Sequence, residues 1–112
     1  MTGTPTCTKN DAILLRYPFT DLSSSKLRPA AIINAPHISE DVFVVPLTRK
    51  KTSLLPGEFV LEDWKTAGLN VATAVKRGIY TVNRGLVVKR VGKLSTSDSK
   101  RLENSLRGWL EF

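Results

Sequence analysis

The sequence predicts one small domain made mainly of short β-strands, with a single helix at its C-terminus. At 112 residues the chain has room for one domain only. Six prolines and seven glycines are spread along it and divide it into short segments joined by turns. Apolar residues at helical spacing are clear only near the C-terminus. We therefore expect a compact, strongly bent sheet or small barrel with one terminal helix.

The predicted strands are short runs of apolar and β-branched residues bounded by proline, glycine or polar loops. In chain order they are residues 12–17, 29–35, 42–47, 58–61, 72–82 and 86–91. Gly78 interrupts or bulges the fifth strand, and Gly92 marks the exit of the sixth. Between the fourth and fifth strands, residues 62–67 are expected to form one helical turn that ends at Gly68.

The two ends of the chain differ in character. Near the C-terminus, Ser95 and Asp98 have the spacing of a helix-capping box, in which both side chains satisfy amides of the first turn. One helix face then carries Leu102, Leu106, Trp109 and Leu110.

Residues 1–10 are polar and contain a glycine and a proline. We expect them to form a flexible N-terminal extension to a domain of residues 10–112.

The charge balance favours a polyanionic partner. Seventeen lysines and arginines against ten acidic residues give a net charge of +7, which suits nucleic acid or an acidic protein as well as a merely soluble surface. A single cysteine and a single histidine exclude an internal disulfide and a zinc cluster built from them. The apolar runs are far shorter than the roughly 20 residues of a membrane span, and no signal segment is visible. We expect a cytoplasmic protein without metal or cofactor.

Two polar loops concentrate groups that suit a phosphodiester. The first ends at Arg28, whose charged planar fork matches phosphate oxygens and whose backbone is fixed by Pro29. The second opens with Thr48, which directly follows the third predicted strand. If the first and third strands are neighbours of the second, both loops face one groove. Arg28 and Thr48 are therefore the candidate catalytic residues, although each also fits a solvated loop end or a turn cap.

The candidate RNA-binding residues are aromatic, hydroxyl or cationic side chains of these loops, together with two cations of the fifth predicted strand. Aromatic rings stack on bases, and cations hold flanking phosphates. The set is Phe19, Ser24, Lys26, Lys51, Lys76 and Arg77. Trp64 and Trp109 fit packing roles better than base stacking.

The acidic residues do not suggest a metal-dependent nuclease, because the only close grouping is the adjacent pair Glu62 and Asp63, whose side chains diverge. The remaining chemistry is transphosphorylation specific to RNA, in which the substrate's own 2′-hydroxyl attacks the neighbouring phosphorus. The protein then supplies a base, an acid and cationic stabilisation of the phosphorane.

The order of several short motifs resembles the MazF/PemK toxins of type II toxin–antitoxin systems. These motifs are Pro18-Phe19-Thr20-Asp21, Arg28-Pro29-Ala30, Val44-Val45-Pro46-Leu47-Thr48, Ala67-Gly68-Leu69 and Val91-Gly92-Lys93-Leu94-Ser95. The resemblance covers the chain from about residue 10 to its end. It implies an SH3-like barrel with a C-terminal helix, paired as a homodimer. In that family the arginine of the Arg-Pro pair and the threonine after the third strand serve catalysis, and those positions are Arg28 and Thr48 here.

The resemblance also implies an activity and a partner. The activity is sequence-specific, metal-independent cleavage of single-stranded RNA that leaves a 2′,3′-cyclic phosphate. The partner is a cognate acidic antitoxin whose flexible segment lies across the dimer and blocks the RNA groove. The basic surplus would then serve two anionic partners.

The chain departs from the family on the strand that matches residues 75–80. Some members carry an arginine and an aspartate there as acid and base, and many have Gln-x-Arg where this chain has Gly78-Ile79-Tyr80. No carboxylate stands beside Arg77, so the base stays open among Asp21, His37 and an orienting serine of residues 23–25. Two other functions stay open: a non-enzymatic gyrase inhibitor related to CcdB, acting through the terminal helix and dimer surface, and a degenerate member that binds only its antitoxin.

Overall fold

The computed structural model describes residues 7–16, 27–34 and 38–111. The predicted mainly β fold with one C-terminal helix is confirmed in these residues. In chain order they form β1 (Asp11–Arg16), β2 (Leu27–Ile32), β3 (Asp41–Thr48), β4 (Phe59–Val60), β5 (Ala74–Val75), β6 (Tyr80–Asn83), β7 (Val87–Lys93) and α1 (Thr96–Leu110). No helix in these ranges is long and apolar enough to cross a membrane.

The strands form one antiparallel sheet in which β3 is central. Their order is β4-β5-β3-β2-β1-β7, with β6 also paired to β3. One edge of β3 faces β2. The other edge faces β6 along its first half and β5 along its last two residues. The predicted strand over residues 72–82 is thus split in two, and Gly78, with φ of +153°, lies between the parts as expected.

The sheet is strongly bent. β6 and β7 lie at opposite ends of the five-strand order β6-β3-β2-β1-β7, and a 3₁₀ turn of only three residues, Arg84–Leu86, joins them. In a flat sheet they would be about four strand spacings, or roughly 19 Å, apart. A 3₁₀ link of this length advances only about 8 Å. The sheet must therefore curl until its two ends approach each other.

The bent sheet separates two hydrophobic cores, because successive side chains of a strand point to opposite faces. The inner core, on the face without the helix, contains Cys7, Ile13, Leu15, Ala30, Ile32, Val42, Val44, Val82 and Val87. The helix-side core contains Ala12, Ala31, Val45, Leu47, Phe59, Leu61, Ala67, Val75, Leu94 and Leu102. Strands β1, β2 and β3 contribute alternate residues to both cores, so they form the wall between them.

The helix α1 begins as predicted at Ser95, whose hydroxyl accepts a hydrogen bond from the Asp98 amide at 3.1 Å. Leu102 is buried in the helix-side core, and Leu106 and Trp109 pack against it. Leu110, on the edge of the same predicted face, is 47% exposed. Eight residues after Leu102, it points about 80° away around the helix and so leaves the packed face.

Residues 7–10 also differ from the expected flexible extension. Cys7 is buried in the inner core, and the amide of Asn10 donates a hydrogen bond of 2.7 Å to the Ile32 carbonyl at the end of β2. This segment is therefore fixed against the sheet. A single apolar residue in a polar stretch gave too weak a pattern to predict that contact.

A buried carboxylate completes this anchor. Asp11 is 1% exposed and accepts hydrogen bonds of 2.9 Å from both the amide and the hydroxyl of Thr8. Arg90 and Lys93 on β7 approach it at 3.1 and 3.2 Å. Burial by itself raises the pKa of Asp11, but these hydrogen bonds more than offset burial and hold that pKa below its ordinary value. The charged group therefore ties residues 8–11 to β7.

Candidate active site

Arg28 and Thr48 lie at matching ends of neighbouring antiparallel strands. The β2–β3 pairing places Ala31 opposite Val45 and Ala30 opposite Pro46. The same register, continued by two residues, puts Arg28 near the start of β2 opposite Thr48 at the end of β3. Both then share one face of the sheet, because side chains alternate along a strand. The condition set by the sequence is met, since β1 and β3 flank β2.

A cavity of about 590 Å³ lies where β2 and β3 reach these ends, and Arg28 and Thr48 both line it. This volume is within the range of roughly 300–1,000 Å³ that is typical of small-ligand sites. The apolar part of the lining comes from Leu14, Leu27, Pro29, Leu47, Leu69, Val71 and Val91. The cavity therefore combines an apolar wall with the two predicted catalytic residues.

The charged lining of the cavity is cationic. Arg28 and Arg49 line it, and no acidic residue does so within the part of the chain that the structure describes. Thr48 has a defined orientation, because its Oγ1 accepts a hydrogen bond from the Lys50 amide at 3.1 Å. The hydroxyl keeps its own hydrogen for a ligand oxygen. A phosphate here would meet a guanidinium donor and a neutral hydroxyl donor.

The wall opposite the strand ends is formed by residues 68–73 and is fixed at both ends. The predicted turn at residues 62–67 is present and ends at Gly68, which has φ of +83°. A side chain on Gly68 would overlap the Val91 carbonyl, and one on Gly92 would overlap the Ala67 carbonyl. Gly92 was expected at the exit of this strand but lies inside β7. Only a glycine at this position leaves room for the turn to pack on the strand.

The same turn is held from the helix side by Asp98. Its carboxylate, which is fully buried, accepts hydrogen bonds from the amides of Glu62 at 3.1 Å and Asp63 at 2.9 Å. The Ser95 hydroxyl caps α1 as predicted. The Asp98 carboxylate was expected to bind amides of the same helix turn, but it binds amides of a turn more than 30 residues earlier in the chain. Asp98 fixes the start of the segment whose end lines the cavity.

Three of the predicted RNA-binding residues lie outside the cavity lining. Lys51, Lys76 and Arg77 are exposed. The amide of Lys76 binds the Pro46 carbonyl at 3.0 Å, so this lysine lies beside β3 near the end that carries Thr48. The amide of Arg77 donates to a carboxylate oxygen of Glu58 at 2.7 Å. Glu58, directly before β4, thus brings a carboxylate near Arg77, but its second oxygen is also engaged, by the Leu55 amide at 2.7 Å.

The other predicted residues lie outside the described part of the chain. They are the RNA-binding candidates Phe19, Ser24 and Lys26, and the base candidates Asp21, His37 and the serines of residues 23–25. Trp64 and Trp109 are partly buried against the helix-side core, in agreement with their predicted packing roles. Within the described ranges, no three His, Cys, Asp or Glu side chains come together where they could hold a metal ion.

Three polar residues of the cavity, Arg49, Asn70 and Thr73, were missed by the sequence analysis. Arg49 follows Thr48 directly, in a cationic loop from which only Lys51 was selected. Asn70 follows the turn that ends at Gly68, in a segment with no functional pattern of its own. Its place in the lining depends on the contact of that turn with β7, which joins residues far apart in sequence. A local pattern does not reveal such a contact.

Several solved structures share this fold. An endoribonuclease from a mycobacterial species in complex with its cognate antitoxin matches with a TM-score of 0.76 at 12% identity, covering 96% of this chain and 97% of that one. Another mycobacterial endoribonuclease matches with a TM-score of 0.72 at 14% identity, over 98% and 94% of the two chains. The Mycobacterium tuberculosis toxin MazF-mt6 gives 0.73 at 20% identity, over 91% and 97%. At these identities the likeness establishes the fold.

Sequence comparison decides the family. A comparison with curated proteins finds no significant match. The sequence pattern of the PemK-like, MazF-like toxins matches residues 13–110, from β1 to the last residue of α1. This stretch includes both strand ends of the cavity and the turn that faces them. The chain therefore belongs to the PemK-like, MazF-like toxin family of type II toxin–antitoxin systems.

Proposed function

We propose that this toxin is a metal-independent endoribonuclease that cleaves single-stranded RNA at specific sequences and leaves a 2′,3′-cyclic phosphate. The observation that carries the proposal is that Arg28 and Thr48 line one cavity, and that none of the lining residues the structure describes is acidic. Such a cavity favours the binding of a phosphodiester. The family membership and the endoribonucleases among its structural relatives support this choice of reaction.

The reaction needs no external nucleophile. The 2′-oxygen of the substrate attacks the adjacent phosphorus, and the bond from phosphorus to the 5′-oxygen of the next nucleotide breaks. A base takes the proton of the 2′-hydroxyl, and an acid returns a proton to the leaving 5′-oxygen. The products are a 2′,3′-cyclic phosphate and a free 5′-hydroxyl, so no water is consumed.

Arg28 and Thr48 have different roles in this scheme. The Arg28 guanidinium binds the non-bridging oxygens and stabilises the added negative charge of the phosphorane, where a charge-assisted hydrogen bond strengthens most. The Thr48 hydroxyl donates a neutral hydrogen bond to the same phosphate and fixes its orientation. Lys51, Lys76 and Arg77, together with Phe19, Ser24 and Lys26, hold the flanking nucleotides. The base is to be sought among Asp21 and His37, with the serines of residues 23–25 as orienting groups.

The proposal includes two protein partners. One is a second copy of this chain, with which it forms a homodimer that extends the RNA groove. The other is an acidic antitoxin, as in the mycobacterial relative solved with its cognate antitoxin. A net charge of +7 gives both RNA and an acidic protein a favourable long-range attraction. We expect light scattering at micromolar concentration to report a dimer, and a persistent monomer would contradict this part.

The test is cleavage of a long RNA by the purified chain with excess EDTA. A matched DNA and an RNA with a 2′-methoxy group at the cut site serve as controls, because both lack the attacking hydroxyl. We expect cleavage of the RNA alone, with a cyclic phosphate at the new 3′-end. Loss of cleavage in EDTA, or cleavage of the DNA, would contradict the mechanism. No cleavage under any condition would instead favour a gyrase inhibitor or a member that only binds antitoxin, and a DNA supercoiling assay would separate these.

A further inference from the structure

We propose that the cavity beside Arg28 and Thr48 binds one unstacked nucleobase of the RNA, and that the side-chain amide of Asn70 selects this base. The inference rests on the proposed ribonuclease function and adds a specificity residue to it. The cavity lining is more apolar than a site that binds only phosphate requires. A phosphate needs charge and hydrogen-bond donors, whereas much of the lining is apolar.

The apolar lining suits the flat face of a base. Leu47 and Leu69 pack in or against the helix-side core and also line the cavity, together with Leu14 and Val91. Single-stranded RNA is recognised through bases that leave the stack and pack against protein side chains. Arg28 and Thr48 line the same cavity as this apolar wall, so a phosphate bound by the pair and a base packed on the wall would occupy one site. Among the described residues, the charged lining is cationic and contains no acid, which fits an anionic ligand better than a neutral one.

Asn70 supplies a polar group without a role in the fold. It is exposed, lines the cavity and forms no side-chain hydrogen bond with the residues described. By contrast, the Thr73 hydroxyl donates to the Val71 carbonyl at 2.8 Å, and the Thr48 hydroxyl accepts from Lys50. An asparagine amide offers one acceptor and one donor side by side, and the bidentate pairing most typical of this side chain is with the N6 amine and N7 of adenine. Adenine is therefore the base that we expect.

The backbone that carries Asn70 is fixed before any ligand binds. Gly68 packs on β7, and the amide of Leu69 binds the Trp64 carbonyl at 3.0 Å. On the other side, the Thr73 carbonyl accepts from the Leu61 amide at 2.9 Å. A side chain on a preorganised wall loses little freedom on binding, and its hydrogen bonds discriminate more strongly. Asn70 on this fixed backbone is therefore better suited to select one base than a side chain on a flexible loop would be.

The test compares wild type with Asn70→Ala and Asn70→Asp. The substrates are RNA oligonucleotides in which each position next to the cut carries each of the four bases in turn. We expect wild type to prefer adenine at one position by about 5- to 150-fold. Asn70→Ala should reduce that preference to within about threefold. Asn70→Asp should move it towards cytosine, because a carboxylate accepts from the N4 amine of cytosine but donates nothing to adenine. Asn104→Ala, an exposed substitution on α1, should leave the profile unchanged.

Binding of uncleavable 2′-methoxy oligonucleotides, measured by fluorescence anisotropy, separates the possible failures. If wild type neither cuts nor binds RNA, the proposed function fails and the base site fails with it. If wild type cuts RNA but Asn70→Ala keeps the same base profile, only the base site is overturned. If that profile is unchanged while Asn70→Ala weakens binding of an acidic, leucine-rich peptide, the cavity is a protein-binding site and the inference is again overturned.

Discussion

Arg28 and Thr48 line one cavity where β2 and β3 part, each two residues beyond the pairing of Ala30 with Pro46. Their relative position is set by the register of the sheet rather than by the conformation of either loop. Both residues share a face with side chains of the inner core, since Arg28 is paired with the buried Leu15. The proposed catalytic pair is therefore carried by strands that are held by the interior of the protein.

The first prediction concerns the unequal roles of this pair. Arg28→Ala should impair RNA cleavage more than Thr48→Val by about 1 kcal/mol or more in the activation free energy, because it removes a charge-assisted contact to the phosphorane. Arg28→Lys should restore only part of the activity, since an ammonium lacks the bidentate fork. Single-turnover cleavage rates measure these differences, and circular dichroism checks that each variant is folded. Full activity of Arg28→Ala would remove Arg28 from its central role.

The second prediction concerns Asp11. Asp11→Asn should lower the free energy of unfolding at neutral pH by about 1–3 kcal/mol, because the charged acceptor of Thr8, Arg90 and Lys93 is lost. The pKa of Asp11 is lowered in the folded state, so its stabilisation is present above the ordinary value of 3.8 and is lost as the pH falls through the lowered pKa. The gap between wild type and variant should therefore close in acid.

Urea unfolding at several pH values between neutral and acidic conditions measures that gap. Glu40→Gln is the matched control, because it removes an exposed carboxylate that is 3.7 Å from Arg84. The control should change the stability by less than about 1 kcal/mol at every pH. A constant gap for Asp11→Asn at all pH values would show that its charge is not the stabilising feature.

The third prediction uses two glycines in opposite settings. Gly68→Ala should destabilise the fold by more than about 1 kcal/mol, since φ is +83° and the new methyl group would overlap the Val91 carbonyl. Gly108→Ala should stabilise it by up to about 1 kcal/mol, because Gly108 lies in α1 with open space around it. Thermal melting of the two variants measures both changes. Equal shifts in the same direction would contradict the packing of the turn on β7.

The fourth prediction concerns the clamp between α1 and the turn at residues 62–68. Asp98→Ala leaves the amides of Glu62 and Asp63 without their acceptor and should cost about 1–3 kcal/mol. Hydrogen exchange at these two amides should accelerate more than exchange at the amides of β1. Ser95→Ala, which removes only the helix cap, should cost about 1 kcal/mol and leave exchange at residues 62 and 63 unchanged. Unchanged exchange in Asp98→Ala would disprove the clamp.

The sequence predicted the elements that depend on local patterns. The start of α1 follows from Ser95, and the break between β5 and β6 follows from Gly78, because caps and glycines act on their neighbours. The pairing of β5 and β6 with different halves of β3 was not visible, since the choice of partner depends on residues that are distant in the chain. The second role of Asp98 was missed for the same reason.

The candidate site shows a similar division. Arg28 and Thr48 were predicted because each borders a recognisable strand. Both line one cavity, and their catalytic role stays a prediction. Lys51, Lys76 and Arg77 were chosen for charge alone, and the structure leaves them outside the lining. Charge can be read from the sequence, but the direction in which an exposed side chain faces cannot.

The division of the sheet between two cores has a consequence for the order in which the protein becomes active during synthesis. β2 and β3 are complete once residue 48 has been made, but one of their faces packs on Leu94 and Leu102. The other face needs Val82 and Val87. A nascent chain that stops before these residues lacks a partner for both faces of the strands that hold Arg28 and Thr48. The proposed catalytic pair is therefore held on a packed sheet only after residues 82–102 have been made, so any activity that depends on this pair would begin late in synthesis.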